Sequence, residues 1–181
     1  NIIVTHHPAI YGGISRFDLT SSPQARALAK CLKNGISVIS MHLNFDAAPQ
    51  GIDYYLMRGL GGESAVCAVT MPQIIENIKN NFSTERIVVY GDASGEITKV
   101  ASFCGAGCDD SNIAFARQNG AQVFVSSDLK HHQIAELVES GIAVIQLTHY
   151  CAETYGFSKI YDKVKTNLQI GSSFFFDGRF A

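Results

Sequence analysis

Six histidines, His6, His7, His42, His131, His132 and His149, each follow an apolar run or open the helix expected after one. Carboxylates accompany them: Asp46 beyond His42, Asp128 ahead of His131, and Glu153 beyond His149. Imidazole and carboxylate without thiolate are the donors that suit Zn, Mn, Fe, Ni or Co, and they do not choose among these metals. A cluster of three histidines, an Asp and a Glu would fill two ions only in part. The remaining positions are left to water, which is the catalytic rather than the structural arrangement. Strand ends carrying such groups in four separate parts of the chain point to one metal site assembled by the fold.

The elements that must position these groups are legible from pattern. Ile2-Ile3-Val4 reads as a buried β-branched strand stopped by His6-His7-Pro8, because proline gives no ladder hydrogen bond and disfavours helix at the residue before it. Ser22-Pro23 starts a helix that runs to Gly35 and buries Ala25, Leu28, Ala29 and Leu32. Ile36 to Met41 is the next strand, so the opening is β-α-β with parallel strands. Residues 50–60 read as helix. The stretch 63–96 changes character: strand over 65–71, helix over 72–82, strand over 86–90, without a histidine. It reads as a small inserted or linking segment packed on the first sheet, between an N-terminal lobe at 1–62 and a C-terminal lobe at 97–181. The latter continues with strand 97–103, helix 110–119, strand 123–126, helix 131–140, strand 142–147 and helix 151–167. Phe174-Phe175-Phe176 suits a last strand or an interface patch. The fold class is α/β, with two loosely similar β-α lobes and largely parallel or mixed sheets.

On those elements each candidate takes a role. His149 and Glu153 lie one turn apart on one helix face, suited to a shared metal. Asp46 lies beyond a strand end, where it serves as ligand or as an Asx-turn or N-cap residue. His6 and His7, adjacent on extended chain, should point to opposite sides and so serve two neighbouring ions. Asp128 and His132 are candidates for proton transfer, with His131 exposed. Cys104-Gly105-Ala106-Gly107 reads as a close strand-to-helix turn. Cys104 and Cys108 lack the second pair that a zinc site needs, and Cys31 and Cys67 read as packed thiols.

Composition narrows the function class. The chain of 181 residues is 46% apolar and 17% charged, with net charge −2 and pI near 6.3. That charge gives no electrostatic footprint for nucleic acid. No apolar run reaches the ~18 residues needed to span a bilayer, and there is no basic-then-apolar leader, so the chain reads as cytosolic. A core strand beginning at residue 2 without an initiating Met implies upstream sequence.

Four blocks carry a family resemblance: Ile3-Val4-Thr5-His6-His7-Pro8; His42-x-Asn44-x-Asp46; Ser127-Asp128-Leu129-Lys130-x-His132; and Thr148-His149-Tyr150-x-x-Glu153. In order and spacing they resemble the Nif-three-like family, named for an NGG-interacting factor, many of whose members are called type 2 GTP cyclohydrolase I. The resemblance implies two similar lobes, a dinuclear metal centre between them and a toroidal hexamer built from dimers. It implies His6, His7, Asp46, His149 and Glu153 as ligands of two divalent ions, with Glu153 bridging. It further implies a metal-dependent hydrolase acting on a small molecule such as a nucleotide. The other reading is a metal-binding oligomeric scaffold that recruits a protein partner. The chain departs from the family pattern in lacking a preceding segment and in carrying Ser127 where Gly is usual.

Overall fold

Short parallel strands and capped helices build two units, Asn1–Ala48 and Pro49–Ala181, in the computed structural model, which describes residues 1–62 and 68–181. In the first unit, β1 (Ile2–Thr5) leads through a loop to α1 (Pro23–Lys33). Ser22 caps that helix, its Oγ accepting the Ala25 N–H at 3.1 Å, and Pro23 supplies a first-turn residue with no N–H to satisfy. Gly35, at φ +60°, turns the chain out of the helix. The following strand, β2 (Ser37–Ser40), pairs parallel with β1, Thr5 opposite Ser40, and the one-turn helix α2 (Leu43–Asp46) follows.

The expected parallel β-α-β opening is present, but its first strand is not a core strand. Ile2, Ile3 and Val4 are 60%, 42% and 46% exposed, and Leu32 on α1 is exposed as well. A two-stranded sheet with one helix beside it has too little apolar partner surface to cover both faces. Burial in this unit is concentrated at Ala25.

The second unit begins with α3 (Ile52–Gly59) and α4 (Met71–Phe82). Thr70 and Gln73 form a capping box at the start of α4, the Thr70 N–H donating to Gln73 Oε1 at 2.8 Å. Met71 is therefore helical, not the end of a strand, while Val69 makes an isolated antiparallel bridge to Ile97. The rest of the strand expected over 65–71, with Cys67, falls partly outside the described residues. Then come β3 (Val88–Tyr90), β4 (Val100–Ser102), α5 (Asp110–Gln118), β5 (Val123–Ser126), α6 (His131–Glu139), β6 (Ala143–Gln146) and α7 (His149–Val164). The sheet order is β3-β6-β5-β4, with β4, β5 and β6 parallel and β3 antiparallel on the edge. The 63–96 stretch thus contributes an edge strand to the second unit's sheet. Phe124 and Val144, from neighbouring strands, pack with Ile113, Ala116, Leu137 and Ile142 as the core.

Residues 174–176 form no strand. Phe174 lies against Phe157 and Tyr161 of α7, and Phe176 against Tyr150. Apolar content alone does not distinguish a strand from a segment that packs its rings on a helix.

The helix pair α3 and α7 is closest at Gly156, where a methyl group would stand 2.9 Å from Ile52 Cα and 3.2 Å from its carbonyl oxygen. The obstructing atoms are backbone and cannot swing away. Gly156→Ala should destabilise the protein by about 1–3 kcal/mol, the usual cost of overpacking, read as a lower midpoint in urea unfolding with an unchanged slope.

Candidate functional site

In the first unit the parallel register ends β1 and β2 side by side, so the residues after Thr5 and Ser40 leave the same edge. Beyond Thr5 the chain bends, and the Thr5 hydroxyl donates to the His7 carbonyl at 2.8 Å while touching Ser40 Oγ at 3.0 Å. Strand alternation has stopped by then, so the expectation that His6 and His7 point to opposite sides does not hold. Their ring centroids are 5.0 Å apart, and each offers a nitrogen within 4.8 Å of the other's. His42 joins them, 5.1 Å from His6 and 5.3 Å from His7. Asp46 is the last residue of α2, whose N-cap position is His42, so its carboxylate is not spent on a cap.

His6 Nδ1 lies 2.8 Å from the Met41 carbonyl, which can only accept, so that nitrogen carries the proton. In the neutral ring Nε2 then turns a lone pair toward Asp46 Oδ1, 3.4 Å away. That carboxylate oxygen is buried and accepts no hydrogen bond among the described residues. Two acceptors facing each other in a buried setting call for a proton or a cation between them.

The second unit repeats the arrangement at the carboxyl ends of its own parallel strands. Gly105 follows β4, Asp128 follows β5, and His149 opens α7 directly after β6. Thr148 caps α7, its hydroxyl accepting the Cys151 N–H at 3.3 Å, and this sets the rotation that brings His149 and Glu153 onto one face. His149 stands between two carboxylates, with Nδ1 hydrogen-bonded to Asp128 Oδ2 at 2.5 Å and Nε2 2.9 Å from Glu153 Oε1. A proton on each ring nitrogen, the imidazolium form, suits a ring flanked by two carboxylates. Glu153, then Asp128, accordingly raise the His149 pKa to about 9 against the opposing effect of burial. Asp128 reaches the ring from a left-handed backbone at φ +52°, a conformation Asp tolerates better than most residues.

Gly105 was not legible as part of this cluster. It has φ +56°, and a methyl group there would lie 2.5 Å from Glu153 Oε1 and 3.1 Å from His149 Nε2. Its loop is held by the Ser127 N–H, which donates to the Gly105 carbonyl at 3.1 Å, and by Asp53 Oδ1, which accepts the Cys104 N–H at 2.7 Å. The Cys-Gly-x-Gly spacing was the available signal, and its meaning is close approach to a carboxylate and an imidazole. His132 and His131 are exposed on the first turn of α6, and His132 makes no hydrogen bond or ion pair among the described residues. Cys104, Cys108 and Cys151 are buried, and burial pushes the Cys108 thiol up to about 11, so it is protonated at neutral pH.

The donors suit a metal. With bonds of about 2.0–2.2 Å, neighbouring ligands of one ion lie about 3–3.5 Å apart. His6 Nε2 and Asp46 Oδ1 at 3.4 Å, and His149 Nε2 and Glu153 Oε1 at 2.9 Å, have that spacing. The structure thus holds a group of side chains able to bind a metal ion.

Removing one clamp should be visible in the apo protein. His149 binds its proton more tightly folded than unfolded, so the associated stability is complete below the ordinary histidine value of 6.5 and is lost as pH rises toward about 9. Glu153→Gln should bring the imidazole titration, followed by NMR, down toward 6.5 and flatten the decline in stability across that window.

Residues 1–176 match the family model described as Duf34/NIF3 (NGG1p interacting factor 3). The chain is 25% identical over 187 residues to a Clostridium perfringens protein named "GTP cyclohydrolase 1 type 2 homolog", covering 92% of this chain and 70% of that one. It is 26% identical to the NGG1-interacting factor 3 of Saccharomyces cerevisiae, covering 93% and 68%. The solved structure of reduced HcgD from Methanocaldococcus jannaschii superposes with a TM-score of 0.79 at 23% identity, over 92% of this chain and 71% of that one, which shows the shared mixed α/β fold. The extent of the family match makes this chain a member of the Duf34/NIF3 family.

Proposed function

We propose that this protein is a dinuclear divalent-metal-dependent hydrolase acting on a nucleotide or related heterocycle. The carrying observation is the pair of metal-spaced imidazole–carboxylate contacts, His6–Asp46 and His149–Glu153. In this reading His6, His7, Asp46, His149 and Glu153 are the residues that would hold the two ions. The metal is one of Zn, Fe, Mn, Ni or Co, and the setting is the cytosol. The ions, when bound, supply Lewis acidity and a water that is deprotonated near neutral pH.

The chain's own residues prepare that chemistry. The Met41 carbonyl fixes the His6 tautomer so that Nε2 is the donor atom. Asp128 does the same for His149, holding Nδ1–H and leaving Nε2 on the Glu153 side once the ring is neutral. Asp128 is thereby an orienting carboxylate, and His132, exposed to solvent, remains the proposed group for proton transfer. GTP as the substrate rests on the names of relatives such as the Helicobacter pylori "GTP cyclohydrolase 1 type 2". A homohexameric ring is the assembly proposed for it.

A second reading, a metal-holding oligomeric scaffold for a protein partner, is favoured by the exposed Ile2, Ile3, Val4 and Ile39 of the first unit and by the name of the yeast relative. The two separate on one experiment. Metal analysis of wild type should give about two ions per chain, reduced in His6→Ala and Glu153→Ala, and the loaded wild type should hydrolyse at least one member of a nucleotide and pterin panel. A folded wild type that is metal-free and cannot be reloaded removes the metal-site reading, whereas full loading without turnover leaves the scaffold.

A further inference from the structure

We infer that Asp53 is a positioning residue for the His149–Glu153 pair, acting through the backbone of Cys104 and Gly105.

A closed circuit of contacts carries this inference. Asp53 sits in the first turn of α3, and its Oδ1 accepts the Cys104 N–H at 2.7 Å. Cys104 is itself buried and Asp53 half-buried, so the hydrogen bond is partly shielded from water. The next residue, Gly105, is packed so closely on the pair that even a methyl group would lie 2.5 Å from Glu153 Oε1. Glu153 is on α7, and α7 returns to α3 three residues later, where Gly156 meets the Ile52 backbone beside Asp53. The loop that walls the imidazole and carboxylate is therefore tied to α3, the helix packed against the α7 helix that presents both groups. Glu153, only 9% exposed, has little room to move unless that wall moves. The opposite end of the loop is anchored by the Gly105 carbonyl on the Ser127 N–H, so losing Asp53 frees one end and leaves the sheet intact.

A carboxylate is not strictly required. The bond uses one oxygen as acceptor, which an asparagine amide also offers, whereas alanine offers none. Outer groups that orient metal ligands typically change affinity by about 10–100-fold when removed.

The experiment compares wild type, Asp53→Ala and Asp53→Asn as the full chain, using zinc alone as the probe. It reads zinc affinity by chelator competition, amide exchange at Cys104 and Gly105, and the His149 ring resonances at one fixed pH. Asp53→Ala should exchange the Cys104 amide faster, weaken zinc by about tenfold or more and displace the His149 resonances. Exchange in β5 and β6 should stay at wild-type protection, and Asp53→Asn should restore all three readouts. Faster Cys104 exchange with wild-type zinc affinity and unmoved ring resonances would overturn the inference. So would an Asp53→Asn protein that is folded yet as impaired as Asp53→Ala. The zinc readout rests on the proposed metal centre. If wild type itself takes no zinc, that reading fails, and the His149 resonances alone decide: displaced by Ala and restored by Asn they uphold the positioning role, and unmoved they refute it.

Discussion

Because β4, β5 and β6 run parallel and in register, all three finish at one edge of their sheet, and whatever follows each strand is delivered to that edge. Gly105, Asp128 and His149 are the residues so delivered, and α7 adds Glu153 one turn on. The first unit obeys the same constraint with β1 and β2, which deliver His6 and His7 beside His42 and Asp46. An antiparallel pairing would send alternate strand ends to opposite edges and scatter these groups. The antiparallel strand in the second sheet, β3, is an edge strand, and no candidate residue follows it.

Electrostatics then decides what the delivered groups can do. His149 lies between Asp128 and Glu153 and takes an extra proton readily, so without metal the cluster stabilises itself as an imidazolium–carboxylate triad. A divalent ion asks for the neutral ring, and binding must expel that proton. The same carboxylates that raise proton affinity also orient the ring and attract the ion, so proton and metal compete for one geometry. In the first unit the His6 Nδ1 proton is committed to the Met41 carbonyl, so Nε2 is the nitrogen that meets the buried Asp46 oxygen, and a proton or a cation between them satisfies both.

The two units differ in how fully they bury what they order. β5 lies wholly inside its unit, and the fixed strand ends next to it give His149 and Asp128 a firm base. β1 is largely exposed, so the His6–His7 bend depends on local hydrogen bonds from Thr5 and to Met41. Local bonds of this kind define a geometry without supplying the core that stabilises it.

By itself the sequence determined most of the elements and most of the candidate chemistry. β-branched runs, the Ser22-Pro23 start, the Gly35 stop and the His149/Glu153 spacing are local signals, set by backbone sterics and helix periodicity that act within a few residues. It also determined the family, because four short motifs hold their order along the chain. Only the tertiary structure decided that Ile2 to Val4 are exposed, since burial depends on how much partner surface a unit assembles. It alone turned His6 and His7 to the same side, because the bend begins after Thr5 and ends the strand's alternation. It alone placed Gly105 against Glu153 and Asp53 on Cys104, contacts between residues remote in sequence whose partners no local pattern names.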